Sequence, residues 1–452
     1  MTSENIKDMV SAIKKEISSL KRSRHFIDYY EARDFSPCLD DIRDSILNLS
    51  KKHPKEAFVL MKNFMESHES VMDRCDDSDG DISGSYIEAC DKFAEVGKMA
   101  NISIDEAVEL VFEMFMKDSY GIYDGIIRSF RDVLKNEGLE LLKSKLLSQL
   151  SEEKIRSQAA KKKEYFDSQR MVNLKTGEVI SFSSEKCRTK AIEDISRNIK
   201  IGLCEIADCR SDVDEYIRGC VFPKTAYNYD DFYNSDKIGI ASRLLEQNRA
   251  PEALEWLNAI NKDSRDSETI KLRIAALESL NRKEEAQQER ISWFNSTLDH
   301  KVFKEIMVHA TPQFQEEFQE EAIKTVFNSG RVSTALDFFV QGKFIDECST
   351  LVLSKIDLLS GEGYYSLRPA AQILRDKYPL SATLLYRKLI AYIMDGAKSR
   401  YYDYAVKDLM ACEELSRRIC EYKAFKSHEE YFSEFQEKHK KKSAFWSKFR
   451  SK

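Results

Sequence analysis

The sequence predicts an all-α protein, a tetratricopeptide-like α-solenoid assembled from helical hairpins. Only 15 glycines and 7 prolines occur among its 452 residues, whereas average usage would supply roughly 50 of the two together. This scarcity indicates long helices joined by short loops. Apolar residues also recur at steps of three and four along most of the chain, which is the spacing of amphipathic helices. A motif that recurs in the C-terminal half indicates a repeat architecture.

The repeated motif is the elbow between two helices, and 244–253 is its first copy. In this copy Asn248 and Arg249 form the turn, and Pro251 suits the first position of the next helix, where its missing N–H costs nothing. Residues 277–286 match the first copy at a shift of 33 residues, with Asn, Arg, Glu and Ala in register. A period of about 34 is typical of tetratricopeptide repeats, so we expect hairpins of that kind.

A third copy of the elbow, 326–339, is more divergent. Gly330 replaces the asparagine of the turn, and both residue types tolerate the left-handed conformation that ends a helix. The alanine that recurs in all three copies predicts close contact between paired helices. The small residue expected twelve positions earlier is Ala241 in the first copy but Ile274 and Ile323 in the others. The repeats are therefore divergent and need not form a regular superhelical groove.

Composition and spacing divide the chain into five segments. The N-terminal segment is an amphipathic helix, which either docks on the core or binds a partner or a second copy of the chain. A Lys-Thr-Gly turn between apolar residues near 171–182 predicts at most one small β-hairpin. The segments are the N-terminal helix (1–22), a helical domain (23–165), an irregular connector with the possible β-hairpin (166–235), the helical repeat domain (236–425) and a basic aromatic tail (426–452).

The acidic stretch from Asp76 to Asp81 invites a calcium-binding interpretation. EF-hand spacing fails in both possible frames, because either Cys75 occupies the first ligand position or Ile82 occupies the position that requires glycine. Aspartate and serine are preferred helix N-caps. The stretch is therefore predicted to cap the helix that contains Tyr86, and cation binding stays open.

Charge is distributed unevenly along the chain. The net charge is −6, yet residues 438–452 carry seven Lys or Arg and no acid, so the body is acidic and the tail is basic. An acidic body disfavours broad binding to a phosphate backbone. Ten cysteines without a Cys-x-x-Cys motif indicate a reduced, cytoplasmic protein. Without a signal peptide or a run of about 18 apolar residues, no membrane association is expected.

The sequence lacks the motifs of common catalytic and cofactor sites. Its seven histidines form no His-Glu-x-x-His pattern, and it has neither a phosphate-binding Gly-x-x-x-x-Gly-Lys nor a nucleophile elbow. Gly361 and Gly363 begin a Gly-x-Gly run, but Ser366 takes the place of the third glycine, so a helix–helix loop is predicted there. We therefore expect no catalytic, cofactor-binding or metal-binding residues, and no enzymatic activity.

Two groups of basic and aromatic residues are candidates for an interaction surface. The first lies on successive predicted helices, where the basic side chains either cover a solvated surface or form a pocket for a carboxylate, a phosphate or an acidic peptide. The second lies in the tail, which either folds back onto the acidic body or binds nucleic acid by charge and stacking. The first group is Arg387, Lys398, Arg400, Tyr401 and Tyr404, and the second includes Lys441, Lys442, Phe445 and Trp446.

Several stretches of the chain resemble a family of uncharacterised bacterial α-helical proteins of similar length. The resemblance is carried by the runs 376–387 and 397–405 and by tail residues 441–446, with further similarity at 248–253 and 76–80. It implies a helical, repeat-like cytoplasmic protein, a domain of unknown function, with no catalytic residues to assign.

These observations lead to two functional hypotheses. The first is a non-enzymatic helical-repeat scaffold that binds a protein partner. The alternative is a nucleic-acid-associated accessory protein that uses the basic aromatic tail. An enzyme ranks third. Neither of the first two hypotheses requires a cofactor or a membrane.

Overall fold

The computed structural model describes residues 3–168 and 183–451, which form helices joined by short connections. The predicted all-α, helical-repeat fold class is confirmed. Within the described residues, β pairing is limited to one bridge between Ile27 and Cys75. The predicted β-hairpin near 171–182 lies outside the described residues. None of the helices described is both long and apolar enough to cross a membrane.

The chain forms two compact units, Met1–Ile260 and Asn261–Lys452. The five segments predicted from the sequence divide the chain more finely and stay predictions. The helices of the first unit are α1 (Ser3–Arg22), α2 (Tyr29–Ser50), α3 (Pro54–Met65), α4 (His68–Met72), α5 (Asp81–Ala100), α6 (Ile104–Lys117), α7 (Ile126–Ser129), α8 (Arg131–Leu147), α9 (Glu152–Ser168), α10 (Ser184–Arg210), α11 (Val213–Val221), α12 (Asn234–Glu246) and α13 (Ala250–Asn258).

The second unit continues the pattern of short connections between consecutive helices. Its helices are α14 (Ser267–Ser279), α15 (Lys283–Thr297), α16 (His300–Val308), α17 (Pro312–Asn328), α18 (Val332–Gly342), α19 (Ile345–Lys355), α20 (Tyr364–Leu374), α21 (Pro379–Asp395), α22 (Tyr402–Ser416), α23 (His428–His439) and α24 (Ser443–Arg450). The most buried of them is α21, which packs between α20 and α22.

The N-terminal helix α1 docks on the core of the first unit. Its apolar stripe of Ile13, Ile17 and Leu20 is buried, and the helix packs against α2, α3 and α4. This is the first of the two arrangements that its amphipathic pattern allowed. Burial of three large aliphatic side chains stabilises the docked helix by several kcal/mol, at ~1.5–3 kcal/mol for each.

The acidic loop before α5 is a helix cap, as predicted. The carboxylate of Asp77 accepts hydrogen bonds from the backbone N–H groups of Ile82 (2.8 Å) and Ser83 (2.9 Å). Gly80 turns the chain into the helix with a φ of 77°, a conformation that glycine adopts without a steric cost. The aspartates therefore satisfy the exposed donors at the start of α5.

Helix α8 is interrupted at Lys135. Lys135 has φ 54° and ψ −173°, and helical geometry resumes after it. Gly138 is buried in the second part of α8, where an added Cβ would approach Ile104 Cγ2 to 3.0 Å. The glycine therefore permits close packing of α8 against α6 and does not terminate a helix.

The first two elbows share one backbone geometry. Asn248 and Asn281 adopt φ values of 58° and 57°. At each elbow the next residue, Arg249 or Arg282, donates its backbone N–H to a carbonyl five residues earlier, at 2.8 and 2.9 Å. This is the left-handed helix cap known as the Schellman motif. The repeat predicted from the sequence is confirmed for these two copies.

The same cap recurs where the sequence gives no sign of it. Ser211 in the first unit and Lys343 in the second have φ values of 55° and 57°. The residues that follow them, Asp212 and Phe344, donate to carbonyls five residues earlier at 3.0 and 2.9 Å. The cap is therefore more regular in the structure than in the sequence. Serine and lysine occupy the position that asparagine occupies in the first two elbows.

The prediction for Gly330 is wrong. The glycine is not among the residues with a left-handed backbone, because α17 ends in an extended conformation at Ser329 (φ −64°, ψ 144°). Close contact at the recurring alanines is confirmed, since Ala253, Ala286 and Ala335 are fully buried. The third copy thus keeps the helix contact of the repeat and loses its cap.

Candidate interaction surface

Arg387, the first predicted surface residue, lies inside the second unit. Only 8% of its surface is exposed, and its guanidinium donates to the backbone carbonyls of Lys426 (2.8 Å) and Ser427 (3.1 Å). The ring of Tyr431 lies 4.3 Å from the guanidinium carbon. Burial lowers the pKa of Arg387. Its role is therefore to tie the segment before α23 to α21, and it does not form a pocket for a ligand.

Two other members of the first group, Tyr401 and Tyr404, lie in a cluster of exposed tyrosines with Tyr364 and Tyr365. We call these four residues the tyrosine patch. Tyr401 and Tyr404 are 47% and 51% exposed, and their ring centroids lie 6.5 Å apart. Tyr364 and Tyr365, which begin α20, are 43% and 79% exposed, with ring centroids 4.0 Å apart. A hydrogen bond to Tyr365, with Tyr401 and Tyr392 nearby, raises the pKa of Tyr364 to about 12. The patch therefore joins the starts of α20 and α22.

Close backbone contact positions the start of α20. An added Cβ on Gly361 would lie 2.3 Å from the carbonyl oxygen of Lys388 and 2.5 Å from the Cβ of Tyr392. Only glycine allows the loop before α20 to rest directly on α21 in this way. The helix–helix loop predicted at Gly361 is confirmed, and α20 begins at Tyr364, immediately after this loop. Its first turn consequently presents two adjacent tyrosines.

Basic side chains border the tyrosine patch. The ammonium group of Lys398 lies 3.3 Å from the ring centroid of Tyr392, and Arg400 is exposed without an ion-pair partner among the described residues. Under the patch, Arg368 donates to both oxygens of the buried Asp408 at 2.7 and 2.8 Å, and these hydrogen bonds raise the pKa of the arginine. The supporting charges are thus paired, whereas Lys398 and Arg400 have no acidic partner in the part of the chain that the structure describes.

The predicted aromatic tail is folded onto the second unit as α23 and α24. Phe445 is fully buried, with its ring centroid 5.7 Å from that of Tyr402 and 5.6 Å from that of Phe435. The indole N–H of Trp446 donates to the carbonyl of His439 at 2.9 Å. These rings pack against helices and leave little face for stacking on bases. Of the two arrangements open from the sequence, the structure therefore adopts the folded-back tail.

Acidic residues of the same unit neutralise much of the basic charge in the tail. Lys438 pairs with Asp395 at 2.7 Å, and Lys448 pairs with Asp403. Lys442 donates to the carbonyl of Met394. Lys441 is exposed and forms no ion pair within residues 3–168 and 183–451. The tail is consequently not a free basic arm.

The arrangement combines exposed tyrosine rings with basic groups among the described residues. Among them, no cluster of three or more His, Cys, Asp or Glu side chains is arranged to hold a metal ion. The sequence prediction found Tyr401 and Tyr404 but missed Tyr364, Tyr365 and Tyr392. A signal was present in the Tyr-Tyr pair after the Gly-x-Gly loop, although only packing of α20, α21 and α22 brings these tyrosines to the others.

Comparison with known proteins gives one family and little else. The model of a family of unknown function, DUF6880, matches residues 2–448. No curated protein matches the chain. A solved structure described as a circular tandem repeat protein with novel repeat topology and enhanced subunit contact surfaces is 11% identical. The match covers 91% of this chain and 96% of that chain, with a TM-score of 0.18, and carries no argument about function.

Proposed function

This chain belongs to DUF6880, a family of unknown function, and we propose that it is a non-enzymatic cytoplasmic scaffold whose second unit binds a protein partner. The observation that carries the proposal is the tyrosine patch. Tyrosine and arginine are the residues most enriched at the energetic centres of protein interfaces. Here four exposed tyrosines and Arg400 lie together on one helical unit.

The patch is already ordered for binding. The Tyr364 and Tyr365 rings are in tilted contact, with centroids 4.0 Å apart, and the contact of Gly361 with α21 supports the helix that carries them. Fixing a mobile side chain at an interface costs about 0.5–1.5 kcal/mol, and rings that are already packed avoid much of that cost. A partner therefore gains most of the burial energy of the aromatic rings.

The charge at the patch specifies the chemistry of the partner. Lys398 and Arg400 are positive and have no ion-pair partner within the described residues, whereas the nearby Asp403 and Asp408 are engaged by Lys448 and Arg368. An acidic segment of a protein, with apolar side chains that cover the tyrosine rings, complements this surface. Carboxylates bound by arginine form charge-assisted hydrogen bonds of about 1.5–3 kcal/mol.

The test is affinity capture from the native host with matched variants. A double variant, Tyr365→Ala with Tyr401→Ala, removes two exposed rings, and Tyr30→Ala removes one that is 82% exposed in the first unit. We expect a stoichiometric partner on the wild type and on Tyr30→Ala, and at least a tenfold loss on the double variant. Unchanged capture by the double variant, with unchanged melting temperature, would contradict the proposal.

The alternative role in nucleic-acid association has less support, because the tail's aromatic rings are packed and several of its lysines are paired. Fluorescence anisotropy with labelled single- and double-stranded DNA and RNA at low salt tests it. We expect weak binding that Lys441→Ala does not change. Tight binding that falls with this substitution would favour the alternative over the scaffold.

A further inference from the structure

A pair of cysteines in the first unit is unused by the scaffold function. Cys204 lies on α10 and Cys220 on α11, and their Sγ atoms are 3.7 Å apart. Their separation of sixteen residues carries no motif, and the hairpin of α10 and α11 is what brings them together. Both cysteines are free thiols.

A glycine explains why the two helices come so close at this point. An added Cβ on Gly219 would lie 3.0 Å from Cys204 Sγ and 3.2 Å from the backbone nitrogen of Cys204. A side chain at this position would crowd Cys204, so the glycine allows α11 to pack this closely on α10. Gly219 immediately precedes Cys220, so the contact holds the two thiols next to each other.

The thiols also line a cavity of about 280 Å³. Polar groups surround them there, among them Lys200, Tyr216 and the buried Glu205. One carboxylate oxygen of Glu205 accepts the backbone N–H of Gly125 at 3.0 Å, and the other has no hydrogen-bond partner in the described part of the chain. The cavity is therefore polar and large enough to admit a molecule the size of water or hydrogen peroxide.

The environment distinguishes the two thiols. A hydrogen bond from the Cys204 thiol lowers the pKa of Cys220, and Lys200 and the hydroxyl of Tyr216 act in the same direction, whereas burial and the negative charge of Asp236 oppose them. Thiolates are the reactive form of cysteine. Both thiols line the cavity, and the direction of the pKa shift favours Cys220 as the one that attacks first. Cys204, whose sulfur is 3.7 Å away, is placed to react with it afterwards.

We propose that Cys204 and Cys220 are a redox-active dithiol that hydrogen peroxide converts into an intramolecular disulfide. The Cys220 thiolate attacks one peroxide oxygen, the O–O bond breaks, and hydroxide leaves behind a sulfenic acid. The Cys204 sulfur then attacks Cys220 Sγ, the S–OH bond breaks, and the thiol proton leaves with that hydroxyl as water. Hydroxide recovers the proton that Cys220 had released, so two thiols lose two electrons and one peroxide becomes two waters.

Little movement is needed for the bond to form. The two sulfurs must approach from 3.7 Å to the disulfide length of about 2.05 Å. The disulfide would link α11 covalently to α10. Asp214 on α11 accepts hydrogen bonds from both terminal nitrogens of the elbow residue Arg249 at 3.0 and 3.1 Å. Oxidation would therefore also restrain the helix that supports the first elbow.

Peptide mapping after peroxide treatment tests the proposal on the full chain. Trypsin releases Cys204 in peptide 201–210 and Cys220 in peptide 219–224, and blocking free thiols before digestion preserves the oxidation state. The exposed Cys38 serves as an internal standard of general oxidation. We expect a disulfide between the two peptides at peroxide doses that leave most of Cys38 reduced. Oxidation of Cys38 without this linked pair would overturn the proposal.

Peptide 201–210 also contains Cys209, so a matched variant assigns the link. Cys209 lies on the same helix, and its thiol donates to the carbonyl of Ile127. The link should persist in Cys209→Ser and disappear in Cys204→Ser. Loss in Cys209→Ser alone would place the disulfide at Cys209 and contradict the assignment.

Phenylarsine oxide provides a readout without an oxidant, because one trivalent arsenic binds two neighbouring thiols. We expect one adduct per chain in the wild type and in Cys209→Ser, and at least a tenfold weaker reaction in Cys204→Ser and in Cys220→Ser. Equal reaction of all four proteins would show that the two thiols do not act as a pair. The use of two single variants guards against one of them failing to fold.

Discussion

The tyrosine patch and the C-terminal tail have almost the same composition and opposite fates. Both combine basic side chains with aromatic rings in the second unit. In the tail, Phe445 is fully buried and Lys438 and Lys448 are paired with acids. In the patch, Tyr365 is 79% exposed and Arg400 is unpaired among the described residues. Basic and aromatic composition alone therefore does not separate a packed helix from an interaction surface.

The physical difference lies in the rings and in their surroundings. Phenylalanine has no polar group, so burying it costs little, and Phe435 and Tyr402 provide rings against which Phe445 packs. The patch tyrosines keep their hydroxyls at the surface, and their partners are one another. The tail's aromatics should thus contribute stability, and those of the patch should contribute binding.

The largest effect is expected from truncating the buried ring. Phe445→Ala should lower the free energy of unfolding of the second unit by about 3–5 kcal/mol, because a fully packed aromatic side chain is removed and a cavity remains. Tyr365→Ala should change it by less than about 0.5 kcal/mol. Urea unfolding followed by circular dichroism measures both variants. Equal destabilisation by the two substitutions would contradict the distinction between packed and exposed rings.

A second prediction concerns the glycines that support the patch. Gly361→Ala should destabilise the protein by about 1–3 kcal/mol and reduce partner capture, because its Cβ would collide with the backbone of α21. Gly363→Ala is the matched control, since the nearest atom to its added Cβ is the carbonyl oxygen of Ser360 at 3.4 Å. Thermal unfolding and affinity capture check the pair. If Gly361→Ala behaves like Gly363→Ala, the loop does not position the patch.

A smaller effect is expected from the pH dependence of a buried histidine in the tail. Burial lowers the pKa of His439. The negative charge of Asp395 raises this pKa, but the effect of burial is larger. The unfolded chain therefore takes up this proton at higher pH than the folded one. The stability that neutral His439 contributes should be fully present above the unfolded pKa of about 6.5 and should fall as pH drops below it. His439→Gln should show a flatter dependence of melting temperature between pH 8 and pH 5, and an identical dependence would refute this role.

Helix positions and caps were largely predictable from the sequence. Asparagine at 248 and 281 marks a left-handed cap because its side chain tolerates that conformation. The caps at Ser211 and Lys343 carry no such mark, although their backbone is equally left-handed. Gly330 shows the converse, because a permissive residue allows the left-handed conformation without requiring it.

The site was predictable only in part, because it depends on contacts between residues distant in sequence. Tyr401 and Tyr404 stood out beside basic residues, whereas Tyr364 joins them only through the packing of α20 on α21. Arg387 was selected for the same composition and is buried instead. Cys204 and Cys220 lie sixteen residues apart, and nothing in that spacing reveals that Gly219 brings their sulfurs into contact.

Site-specific photo-cross-linking in the native host is the sharpest test of whether the tyrosine patch binds a protein partner. A photoreactive phenylalanine analogue replaces Tyr365 in the patch or, as a control of equal exposure, Tyr30 in the first unit. We predict a discrete cross-linked protein from position 365 that is absent from position 30, identified by mass spectrometry as contacting the chain through an acidic segment. No discrete product at position 365, or the same products at both positions, would contradict it.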